Sequence, residues 1–135
     1  MRDRSQARQL AVQYLYQYDL LKDKSADPDM FLADEHGRDD VAAFARQLVD
    51  GCRSHWDELN QAIVDASEHW ELRRMPVVDR NILRVGVYEL LHCPDIPAKV
   101  VINEAIELAK NFGGKDSGSF VNGLLDKIRL KVRTE

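Results

Sequence analysis

Residues 100–132 read "VVINEAIELAKNFGGKDSGSFVNGLLDKIRLKV", two apolar-periodic segments joined by the six residues "GGKDSG" at 113–118. Before the glycines, Val101, Ile102, Ala105, Ile106, Leu108 and Ala109 recur at three- and four-residue steps and leave Glu104 and Glu107 outside, the pattern of an amphipathic helix. After them, Phe120, Val121, Leu124, Leu125, Ile128 and Val132 repeat the pattern, with Asp116 or Ser117 as the cap. A phosphate-binding P-loop needs a lysine and a hydroxyl residue after its last glycine and a strand leading in. Here Lys115 is followed by Asp116, and a helix leads in. The stretch therefore reads as a corner between helices, with Gly113 at positive φ past a helix end. The next helix start offers free N–H groups with Lys115 beside them, a modest anion site.

Upstream, residues 69–97 read "HWELRRMPVVDRNILRVGVYELLHCPDIP". Pro76 suits a first helical turn and Asp79 its positive end, while Ile82, Leu83, Gly86, Val87, Leu90 and Leu91 give a wide apolar face. Such a helix belongs at the centre of a fold, with Gly86 admitting a neighbouring backbone, and Pro94 and Pro97 end it. Nearer the N-terminus, Asp3 to Leu21 carries a stripe of Ala7, Ala11, Tyr14, Leu15 and Tyr18, with Arg4 and Arg8 one turn apart on another face. Val41, Phe44, Ala45, Leu48, Val49 and Cys52 form a further helix capped by Asp39 or Asp40. Leu59, Ile63 and Ala66 form another, entered through a bend at Asp57 or Asn60. Residues 22–40 hold ten charges and one proline and read as an exposed connection, its "MFLA" patch a half-turn or plug. The count is five to seven helices and no strand pair, a helical bundle.

A chain of 135 residues with 44% apolar content is long enough for one core, so a single domain over 1–135 is expected. No window approaches 18 apolar residues and the start, "MRDRSQARQ", has no apolar h-region, which points to a cytoplasmic protein without a membrane span. Cys52 and Cys93 are far apart and outside any C-x-x-C, so reduced thiols are expected. His36, His55, His69 and His92 make no H-E-x-x-H or H-x-H, and no serine sits in a G-x-S-x-G elbow; neither a metal site, a cofactor site nor catalysis is indicated. The net charge of −4 hides a segregation: residues 23–72 hold 13 acidic against four basic residues, while 110–135 hold six basic against three acidic. If the basic ends meet, they form a positive patch suited to a short single strand of nucleic acid. Arg2, Arg4 and Arg8 would meet phosphates, and Phe120 reads either as a core aromatic or as a stacking ring.

The runs "DRNILRVGVYEL" (79–90) and "PAKVVINEAIELAKNFGGKDSGSFVNGLLDKI" (97–128), with "ARQLAVQYLYQYDL" (7–20), resemble the NusB family of bacterial transcription antitermination factors. The resemblance implies an all-α fold of about seven helices in two small packed subdomains. It implies a non-enzymatic, RNA-binding adaptor that takes the boxA element of nascent ribosomal RNA transcripts together with NusE, a ribosomal protein of the small subunit, and acts on RNA polymerase through the other Nus factors. It also implies a free protein that is a monomer or a homodimer. Carried onto this chain, the arginine-rich start falls on Arg2, Arg4 and Arg8, with Ser5 and Gln6 where other members have more arginines. Asp116 and Phe120 fall near the RNA site, beside Lys115 of the anion site read from the corner itself, and Asp79 on the surface facing NusE. A helical protein-binding module without RNA selectivity is the alternative.

Overall fold

A computed structural model of the chain describes residues 3–21, 27–28, 39–68 and 70–134. Arg2, His36, His69 and most of the charged connection, including the "MFLA" patch, lie outside the described residues. Among the described residues six α-helices with defined bounds follow in order: α1 (Asp3–Leu21), α2 (Asp39–Ser54), α3 (Trp56–Ala66), α4 (Val77–His92), α5 (Ala98–Phe112) and α6 (Ser117–Val132), with a 3-10 turn at Leu72–Arg74 before α4. The all-α expectation holds. α1 pairs with α2 and α5 with α6, while α4 touches each of the other helices and joins the two pairs into one continuous buried cluster.

The central place of α4 explains its sequence. Every residue from Asn81 to Leu90 is buried, more than a single stripe provides, because neighbours cover it all round. Among those ten are Asn81, Arg84 and Glu89, whose polar atoms must find partners inside the fold. α1 supplies them from both ends. Arg8 forks onto Glu89 through Nε and Nη2 at 2.7–3.1 Å, while Asp19 accepts from Arg80, Asn81 and Arg84 at 2.6–3.1 Å. Because the start of α1 meets the end of α4 and its end meets the start of α4, the two helices are antiparallel. Arg84 also donates to Asn60 and lies 3.9 Å over the Trp56 ring, which draws α3 onto the same helix. Among the described residues no buried side-chain nitrogen or oxygen lacks a hydrogen-bond partner.

Several local expectations are corrected. Pro76 and Pro97 stand just before α4 and α5, where their carbonyls accept the first helical bonds from Arg80 and Val101. The bend between α2 and α3 falls at His55, which still donates to Gly51 O and accepts from Leu59, so α2 runs almost directly into α3. Gly86 makes room for the Leu125 side chain, whose Cδ1 would stand 2.9 Å from an added Cβ. Gly51, mid-helix in α2, does the same for Tyr88, whose ring would lie 2.2 Å from a Cβ there. In both places a helical pair approaches closely because one side chain is missing.

Candidate nucleic-acid interface

The corner between α5 and α6 is built by hydrogen bonds rather than by glycine's left-handed freedom. Gly113 is extended, at φ −96° and ψ −170°, and caps α5 through its N–H to Ala109 O. Glycine is needed because a Cβ would meet Ser117 Oγ at 2.5 Å and Ala109 O at 2.8 Å. The Ser117 hydroxyl accepts from Gly114 N–H at 2.8 Å and donates to Asp79 Oδ1 at 2.7 Å. This relay ties the first turn of α4 to the first turn of α6. Asp79 is consequently only 4% exposed, so the carboxylate expected on a partner-facing surface is engaged inside the fold. Its neighbours Val77, Val78 and Arg80 are half-buried and reach the surface there.

Lys115 and Asp116 stand exposed on the corner. The amides of Gly118 and Ser119 precede the first bond of α6, from Phe120 N to Asp116 O, and have no acceptor within the helix. From this point a groove runs between α5 and α6. Ile106, Lys110, Gly113, Gly114, Lys115, Gly118, Ser119 and Asn122 line its first half, about 480 Å³ in volume. Asn122 is shared with the second half, where Lys99, Ile102, Asn103, Asp126 and Arg129 take over. Four cations and several amide and hydroxyl groups thus face one carboxylate, Asp126, which itself pairs with Arg129 at 2.9 Å. Lys99, Asn103, Ile106 and Lys110 form one helical stripe, and Gly118, Asn122, Asp126 and Arg129 another. Sequence reading overlooked both because lone lysines on amphipathic helices usually mark a solvated face.

The N-terminal arginines part company. Arg4 is exposed, its guanidinium 4.7 Å over the Phe44 ring, beside Asp95, Pro97 and Val100 at the start of α5. Arg8 is 2% exposed. Besides its fork on Glu89 it donates to Glu104 at 3.0 Å, and Glu104, expected outside, also accepts from Ser5. Burial pulls the Arg8 guanidinium pKa down, but the hydrogen bonds and charges of Glu89 and Glu104 outweigh it and leave it above the ordinary value. Burial in turn lifts Glu89 above the usual carboxylate range against the pull of Arg8. Arg8 was expected to meet phosphate; its donors are instead directed at two carboxylates, because α1 must neutralise the polar end of α4. Nor do Arg4 and Lys115 converge on one spot. They flank opposite ends of α5, whose 15 residues span ~22 Å.

Phe120 is half-buried and packs against the core on the flank of α6 away from the groove. Its ring centroid lies 6.0 Å from that of Trp70, which is 54% exposed. Phe120 thus helps to seal the core and lies beside an open indole. Trp70 lay in a segment with no helical period to flag it. Cys52 and Cys93 are free and buried, as expected; burial pushes the Cys52 thiol up and that of Cys93 to about 11.

A central buried-charge helix, a basic groove and an adjacent aromatic pair define an all-helical fold with a cationic groove on its surface. Residues 5–129 match the NusB family profile. The chain is 47% identical to the transcription antitermination protein NusB of Myxococcus xanthus, over 96% of each chain. Among solved structures it superposes on T. maritima NusB with a TM-score of 0.86 at 36% identity, covering 98% of this chain and 93% of that one. A further match, TM-score 0.83 and 29% identity over 97% and 98% of the two chains, is to NusB crystallised with NusE and double-stranded RNA. The chain belongs to the NusB family of transcription antitermination factors, which are RNA-binding regulators and not enzymes. Among the described residues no helix is long and apolar enough to cross a membrane.

Proposed function

We propose that this chain binds the boxA element of nascent ribosomal RNA transcripts together with NusE, and so supports an antitermination complex on RNA polymerase through the other Nus factors. The observation that carries the reading is the α5/α6 groove, a run of cations and amides that continues into the exposed start of α6. Lys99, Lys110, Lys115 and Arg129 take phosphates along it, with Arg4 serving the opposite end of α5. A strand crossing the first turn of α6 passes Asp116, whose carboxylate accepts from a base amino group, and reaches Trp70 and Phe120, where a base stacks. Arg8 acts indirectly by holding α1 against α4 and α5.

Fluorescence titration of boxA-like and scrambled single-stranded RNA, with and without NusE, tests this. Lys110→Ala is expected to weaken both RNAs and lower the salt slope by about 0.7, the single-strand value for one phosphate contact. Phe120→Ala or Trp70→Ala is expected to cost about 1–3 kcal/mol in binding with little change of slope. Absence of sequence-selective binding in both conditions overturns the proposal. The second reading, a protein-binding module without RNA selectivity, draws on an apolar groove between α1 and α5 lined by Val12, Tyr16, Val78, Leu108 and the exposed Phe112. That groove also suits NusE in the first reading, so the RNA titration decides between them.

A further inference from the structure

On the far side of α4, three side chains from two regions of the chain converge. His55 occupies the junction between α2 and α3, Glu58 lies in the first turn of α3, and His92 is the last residue of α4. Glu58 Oε1 stands 2.7 Å from His92 Nε2 and 3.3 Å from His55 Nδ1. The two imidazoles stack with centroids 4.0 Å apart and planes 23° from parallel, and all three donor atoms lie within 4.8 Å of one another. The backbone under the site is firm: His55 N–H bonds Gly51 O, Leu59 N–H bonds His55 O, and Cys93 N–H bonds Glu89 O. Leu59 and Tyr88 are buried beneath it, with the Tyr88 ring 5.4 Å from His92 and 6.2 Å from His55. The side chains themselves are reachable from solvent, with exposures of 41% for His55, 52% for Glu58 and 29% for His92.

We propose that His55 Nδ1, His92 Nε2 and Glu58 Oε1 form a binding site for a divalent transition-metal ion, zinc above all, with water in the fourth position. Two imidazoles and one carboxylate are a borderline donor set that suits zinc, nickel or copper and leaves calcium and magnesium, which want oxygen ligands, badly served. Tetrahedral bonds of about 2.0–2.1 Å put ligand atoms about 3.3 Å apart. The His55–Glu58 separation already has that value; the His92–Glu58 contact must open to it, and the stacked rings must turn about their side-chain bonds so that their in-plane lone pairs meet on one ion. Such an ion fastens the α2/α3 junction to the C-terminal end of α4. It does so on residues that share no local motif, since Glu58 and His92 are 34 positions apart, which is why spacing alone indicated no metal. The proposal stands apart from the RNA reading.

The test is titration of the full chain with zinc chloride by calorimetry and with cobalt(II) by visible absorption, alongside imidazole nitrogen NMR of the zinc-loaded protein. One site per chain is expected, with perturbation at Nδ1 of His55 and Nε2 of His92 and the absorption of tetrahedral cobalt. His92→Asn and Glu58→Gln are each expected to weaken zinc binding tenfold or more, and magnesium chloride is expected to give no heat. If the perturbed resonances belong to His36 or His69, or if His55→Asn/His92→Asn binds zinc as the parent does, the proposal is overturned. The NMR result on the parent decides the matter even where a variant folds poorly.

Discussion

Replacement of Arg8 by alanine separates a structural arginine from an RNA-binding one. Glu89, 1% exposed, receives three hydrogen bonds from Arg8 and would keep none of them. Stranding a buried charge costs about 3–5 kcal/mol. With a urea m-value of about 1.5 kcal/mol/M, the unfolding midpoint of Arg8→Ala should fall by about 2–3 M. The loss should shrink in mild acid, because Glu89 is already raised by burial and takes a proton more readily once Arg8 is gone. Arg8→Met with Glu89→Leu removes both charges at similar volume and should restore the unfolding free energy to within about 1 kcal/mol of the parent. Glu104, at 24% side-chain exposure, can be hydrated without Arg8. Arg4→Ala, by contrast, should change stability by no more than about 1 kcal/mol, the value of its contact with Phe44. It should still lower the RNA salt slope by about 0.7. Urea melts read by circular dichroism, paired with RNA titrations at several salt concentrations, supply both quantities. If Arg8→Ala melts with the parent while lowering the salt slope, the reasoning that assigns Arg8 to the fold is wrong.

Gly51→Ala should destabilise by about 1–3 kcal/mol, because its Cβ overlaps the Tyr88 ring; at Gly123, also helical and open for 4 Å around, alanine should stabilise by about 0.5–1 kcal/mol, and thermal melts compare the two. Asp79→Ala removes the acceptor of the buried Ser117 hydroxyl and should cost about 1–3 kcal/mol; a variant that melts as the parent but loses NusE would instead make Asp79 a contact residue. For Asp19, burial alone would raise the carboxyl pKa, but Arg80 and Arg84 outweigh it and hold it below its ordinary value. Its stabilisation is therefore present above that ordinary carboxylate value and lost as pH falls through the lower folded one, so Asp19→Asn should flatten the acid limb of stability against pH. Cys93, at about 11, should resist a thiol reagent at pH 8 in the native protein and react promptly in urea.

Periodicity alone placed the helices, because burial of an apolar stripe at 3.6-residue spacing is a local property of the chain. Asp3–Leu21 was legible in full, and the wide apolar face of residues 82–91 marked α4 as central before any contact was known. The extended family pattern of residues 97–128 likewise pointed to an RNA-binding regulator. What the stripes do not encode is which polar side chain meets which. Arg4 and Arg8 are one turn apart and chemically identical, yet one is open and the other buried, a difference set by Glu89 and Glu104 arriving from α4 and α5. Asp79 looked like a surface carboxylate until Ser117 closed on it from α6. The basic groove is the sum of two separate stripes, and the cluster of His55, Glu58 and His92 joins residues that no short-range pattern relates. Hydrogen bonds and charge pairs act over about 3 Å, so their partners are chosen only when distant turns of the chain are packed together.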